Sequence, residues 1–112
     1  MIPLVFRFEL KQFLDERRDV EFPTCNGRDC PVAQFLRHKD PTFNGSVTAK
    51  RIRSLSGDGV ETLDNQPWLK ELIGEIDMEG IRHVQHAPCY PHPQFVTGAT
   101  VLRLLEEIPD VR

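Results

Sequence analysis

Apolar residues recur along this chain at two different spacings, and the switches between them predict a mixed α+β fold. Phe6, Leu10, Phe13 and Leu14 fall at i, i+4, i+7 and i+8, one stripe of a helix over Phe6 to Arg17. A competing period of two through Ile2, Leu4, Phe6 and Phe8 would make the extreme N-terminus a strand leading into that helix. Arg17 and Arg18 suit the negative carbonyl pole at its end. Residues 20–23 read as extended or looped, and Asn26-Gly27 is a turn signal. A second helix is predicted over Pro31 to Lys39. Pro31 suits its first turn, Asp29 or Cys30 its cap, and Val32, Phe35 and Leu36 its buried face. Asp40-Pro41 ends it, because the residue before a proline is pushed out of the helical region.

Asn44-Gly45 then turns the chain into a predicted strand over Ser46 to Leu55, with Val47 and Ala49 in alternation. Gly57-Asp58-Gly59 is a hairpin turn, and Val60 to Leu63 is the return strand. A third helix starts near Asp64 to Pro67 and presents Trp68, Leu69, Leu72, Ile73 and Ile76 on one face. Gly80 ends it, and Ile81 to Gln85 adds a strand. Thr97 caps a final helix whose core positions are Val101, Leu104, Leu105 and Ile108. The expected architecture is α+β, about four helices packed on a small antiparallel sheet, in a single globular domain over residues 1–112.

Length and composition agree with this. A chain of 112 residues can bury about two-thirds of its unfolded surface, so it needs neither metal nor disulfides merely to fold. No apolar run reaches membrane-spanning length, and residues 1–8 lack the basic flank and cleavage site of a signal peptide. A cytoplasmic location is expected. Three cysteines, an odd number, argue for free thiols or a metal site over a disulfide framework. The net charge of −3 and pI near 5.8 give no drive towards nucleic acid or an anionic membrane. Charge is nonetheless uneven: residues 28–53 hold six bases and two acids, and residues 54–80 hold one base and seven acids. Such neighbours neutralise each other across one small domain, or steer a partner.

The chemically loaded stretch is a row at intervals of three: His83, His86, Cys89 and His92, which includes three of the four histidines. Imidazole and thiolate are soft-metal ligands. Pro88, Pro91 and Pro93 bias this stretch towards polyproline II, where residues three apart lie about 9 Å apart along the axis. Ligands of one zinc lie within about 2.3 Å of it, so a straight row cannot close around one ion. A zinc site therefore requires the chain to bend, with Cys25 and Cys30 joining two of the residues of the row. A thiol enzyme is a further reading. Cys30 would sit at a helix N-terminus, where free N–H groups favour a thiolate, although Asp29 beside it opposes one. Lys50, Arg51 and Arg53 suggest a phosphate-tracking strand, which the acidic balance of the chain and its single Trp and Tyr count against. Glu71, Glu75 and Glu79 recur every four residues opposite the apolar stripe of the third helix and read as a solvated face.

The stretch Asp29-Cys30-Pro31-Val32-Ala33-Gln34-Phe35-Leu36-Arg37, preceded by a helix and a Val-Glu-Phe segment, resembles a Cys-Pro-Leu-Ala box. That box recurs in small bacterial and phage proteins of unknown function. The likeness departs at Val32, where leucine is more usual. It implies a bacterial or phage setting and carries over no catalytic residue. The expectation is thus a small cytoplasmic protein-interaction module, encoded by a phage or mobile element and binding a host protein. Its surface would join Arg51 and Arg53 to the Pro-rich 86–95 loop, with Tyr90 and Phe95 as aromatic anchors. The alternative is a zinc-binding domain with ligands from Cys25, Cys30, His86, Cys89 and His92.

Overall fold

The structure, a computed structural model, describes residues 2–24, 26–56, 59–82 and 95–109. Four helices carry most of the core: α1 (Arg7–Asp15), α2 (Pro31–Lys39), α3 (Pro67–Arg82) and α4 (Gly98–Glu107). Five strands form two antiparallel sheets. The smaller pairs β1 (Glu21–Pro23) with β5 (Phe95–Thr97), and the larger has the order β2 (Gly45–Val47), β3 (Arg51–Ser56), β4 (Gly59–Asp64). The α+β class expected from the sequence is what forms. One apolar core draws on every helix and both sheets, with Leu10, Phe22, Leu36, Ile52, Leu72 and Leu105 essentially inaccessible. Burying each such side chain stabilises the fold by about 1.5–3 kcal/mol.

Helices α1 and α4 lie antiparallel and close each other's ends. Past α1, the carbonyls of Val20 and Arg18 accept from the Gly98 and Ala99 amides at 3.0 and 3.1 Å, satisfying donors that a helix start leaves free. The Thr97 hydroxyl takes the Thr100 amide at 3.2 Å, the cap its sequence position predicts. At the opposite end the Arg7 guanidinium donates to the carbonyls of Leu105 (2.6 Å), Ile108 and Pro109 (3.2 Å). It places a positive charge at the negative pole of α4 and lies 5.8 Å from the Trp68 ring centroid. Gly98 is required where the two helices touch, since a Cβ there would stand 2.1 Å from the Arg17 carbonyl oxygen.

Five local expectations are corrected. No strand forms at the N-terminus: Leu4 and Val5 give their carbonyls to the Lys39 ammonium (3.1 Å) and the Gln66 amide (3.5 Å) instead of to a neighbouring strand. Phe6 precedes α1 and is about half exposed, so the buried stripe begins at Leu10. The strand read over 46–55 is two strands. Thr48 bends the chain, its hydroxyl accepting from the Arg51 amide at 3.2 Å and donating to the Arg51 carbonyl at 3.1 Å. Helix α3 runs through Gly80, so Ile81 and Arg82 are helical and not strand. An interior glycine costs a helix only about 1 kcal/mol, and packing against α4 outweighs that. The same packing makes Glu79 mostly buried, 3.6 Å from Arg103, rather than part of a solvated face.

The clasp between α1 and α4 is tested by two substitutions. Arg7→Met leaves three terminal carbonyls without their donor and should cost about 1–2 kcal/mol in urea unfolding, with Arg7→Lys restoring only part. Gly98→Ala forces a Cβ into the Arg17 carbonyl and should cost about 2–3 kcal/mol. Wild-type midpoints for both would show that the helix ends are held by other contacts.

Candidate partner-binding face

The Thr48 turn sets which way β3 faces. The Asn65 side-chain amide, just past β4, donates to the carbonyls of Thr48 (2.8 Å) and Ala49 (3.1 Å) and clasps that turn from the far side. With the turn held, Val47 and Ile52 stand opposite each other and face the core. Arg51, Arg53 and Leu55 then face out, because successive strand residues point to opposite sides. On β4 the register sets Asp64 against Arg51, Thr62 against Arg53 and Val60 against Leu55. Ser46 of β2 stands opposite Arg53 on its other side. Ser56 pairs with Gly59, so Gly59, expected in the turn, instead opens β4, where it takes a φ of +141° that glycine tolerates.

The outward face therefore carries a basic and an apolar part side by side. Arg51 lies 3.6 Å from the exposed Asp64 carboxylate, a solvated pair worth little to stability. The Arg53 guanidinium has no hydrogen-bonding or ionic partner among the described residues. Leu55 and Val60, directly opposite each other, are each 51% exposed. Beside them Arg28, from the loop before α2, joins Gly45, Ser46, Arg53 and Leu55 around a hollow of about 210 Å³. Among the described residues no strand pairs with the outer edge of β4, whereas β2 is covered on its outer side by the bond from the Val47 amide to the Gly27 carbonyl, 2.8 Å.

The other residues singled out from sequence fall elsewhere. Phe95 is 45% exposed, but it belongs to the two-stranded sheet, opposite Pro23, and not to the sheet of Arg51 and Arg53. Tyr90, Cys25, His83, His86, Cys89 and His92 lie outside the described residues. Among the described residues no three His, Cys, Asp or Glu side chains gather as a metal site. The fourth histidine, His38, is exposed, and its ring centroid lies 5.3 Å from that of Phe13.

Cys30 is the N-cap of α2, with its Sγ 3.5 Å from the Ala33 amide. It is buried, and burial pushes its thiol pKa up, outweighing the opposing pull of the Ala33 and Val32 amides. The nearby Asp77 carboxylate pushes it further up. A thiol in this setting is a packed cap and a poor nucleophile at neutral pH.

The sequence pattern singles out Arg51 and Arg53, which the strand turns outward, but not Arg28, Leu55 or Val60 beside them. The last two were legible in principle, since a two-residue hairpin turn places residues just before and after it in register. Arg28 carried no such signal, because only folding brings its loop beside β2. Comparison with protein-family models, curated proteins and solved structures gave no match to this chain.

Two chemical tests follow from the cysteines. Peptide mapping after iodoacetamide treatment should show Cys30 alkylated at least about tenfold more slowly in native protein than in urea. Its raised folded pKa means that the unfolded thiol ionises first. Stability should thus fall as pH rises from the ordinary thiol range towards the folded pKa, and Cys30→Ala should flatten that slope. An unchanged slope would mean that Cys30 is not the group titrating. For the zinc reading, a site shared by Cys25, Cys30 and the histidine row requires about one zinc per chain in protein purified without a histidine tag. A content far below that removes it.

Proposed function

We propose that this protein is a small interaction module that docks a protein partner on the outward face of its three-stranded sheet. One observation carries the reading. Among the described residues the Arg53 guanidinium has no partner and the outer strand β4 has no neighbour, and beside Arg53 lie two half-exposed aliphatic residues, Leu55 and Val60. Protein interfaces are built from this combination, an apolar centre that sheds water and arginines that give direction. An unpaired strand edge adds backbone donors and acceptors that an extended partner segment can use.

Charge adds to the argument. The basic stretch at 28–53 includes Arg51 and Arg53, while the chain as a whole is acidic. A long polyanion would be repelled by most of this surface, whereas a protein segment meets only the local basic patch. The Cys-Pro-Val-Ala stretch at 30–33 supports a bacterial or phage setting in which the partner is a host protein, and it assigns no chemistry. The sequence also offers Tyr90, which lies outside the described residues, as an aromatic anchor for the same partner.

The test is affinity capture with the partner identified by mass spectrometry. Charge reversal at Arg51 and Arg53, together with Tyr90→Ala, should lower recovery of the partner by about tenfold or more, equivalent to about 1.4 kcal/mol. The reversed residues are exposed strand positions, so unfolding midpoints should stay close to wild type. Retention of every co-purifying protein by the triple variant overturns the proposal.

A further inference from the structure

We infer that the hollow between Arg28 and Arg53 receives an acidic side chain from an extended segment of the partner. The inference rests on the interaction reading above and names the chemistry of the partner at that face. Among the described residues six arginines have a place for their charge: Arg7 and Arg17 on carbonyls, and Arg18, Arg37, Arg51 and Arg103 on Asp15, Asp29, Asp64 and Glu79. Arg28 and Arg53 have no such partner among the described residues, and both line the same hollow. Two like charges facing one small space repel each other, and an anion placed between them removes that repulsion.

The hollow has the parts that a carboxylate uses. Each guanidinium offers donors in a planar fork that matches two carboxylate oxygens. Ser46, opposite Arg53 across β2 and β3, adds a hydroxyl at the wall. Leu55 lines the same space and continues onto Val60, so a segment placing an acid in the hollow rests its next outward residue on an aliphatic surface. An extended chain that carries an acidic residue and an apolar one two positions apart has that period.

Charge complementarity favours a protein over a nucleic acid. Asp64 stands exposed beside Arg51, and Asp29 lies next to Arg28 in the chain and pairs with Arg37 at 3.1 Å. A phosphodiester strand tracking this face would bring its regularly spaced charges against both carboxylates. A single acidic side chain meets only the two arginines.

The experiment follows the side-chain Nε–H signals of the arginines by NMR as hexaglutamate is added to the whole protein at low salt. The Arg28 and Arg53 signals should move together and saturate. Arg28→Gln and Arg53→Gln should each weaken binding about tenfold, as loss of a charged hydrogen bond does. Lys11→Gln, an exposed α1 position, should leave it within about twofold. Three results overturn the inference: no saturable shift at these arginines, an equal loss in the Lys11 variant, or tighter binding of hexathymidylate than of hexaglutamate. The two proposals fail separately. If hexaglutamate does not bind but charge reversal still releases the captured partner, the docking face stands and the carboxylate site falls. If hexaglutamate binds at the hollow but charge reversal leaves the captured partner in place, the docking face falls and an anion site remains.

Discussion

The antiparallel clasp of α1 and α4 organises the molecule. A helix leaves donors free at its start and acceptors free at its end, and in α4 both sets meet groups from α1 or from the chain just beyond it. Arg7 and the Arg17–Val20 segment lie at opposite ends of α1, so they fix the direction of α4 as well as its position. Strands β1 and β5 continue directly from the second of these contacts, and their pairing follows with Phe22 and Val96 buried opposite each other. Helix α3 then packs on α4, and Trp68 at its start comes beside the Arg7 guanidinium.

The three-stranded sheet depends on a second, smaller constraint. Thr48 makes the bend between β2 and β3, and Asn65 holds that bend from beyond β4, so residues from both ends of the hairpin unit fix its register. Because side chains alternate along a strand, a slip of one residue would bury Arg51 and Arg53 and expose Ile52. The basic face thus exists because the turn is held. The cost of burying an unpaired guanidinium makes the alternative register far less stable.

Much of this was legible along the chain. The helix starts at Pro31 and Thr97, the stop at Asp40, the pairing of β3 with β4 and the apolar face of α3 each rest on contacts between near neighbours, which residue type and spacing express directly. The errors cluster where a distant group competes. Leu4 and Val5 would form a strand if a strand lay beside them, but Lys39 and Gln66 take their carbonyls. Arg7 interrupts an apolar N-terminus in sequence and looks like a flaw in the pattern, yet it is the cap of a helix about a hundred residues away. Gly80 looks like a stop and is carried through by packing.

The sequence by itself determined the class of fold, the local boundaries and the alternation that sends Arg51 and Arg53 to one side of a strand. Those are consequences of backbone geometry and of the free energy of hiding apolar surface, which act over a few residues at a time. Only the tertiary structure decided which helix ends close on one another, that Cys30 is a buried cap, and that Arg28 shares a hollow with Arg53. Each of these depends on bringing together segments far apart in the chain, where the deciding quantity is which polar group finds a partner and which is left without one. Arg28 and Arg53 are alike in sequence to the arginines that found one among the described residues, and the fold alone sets them apart.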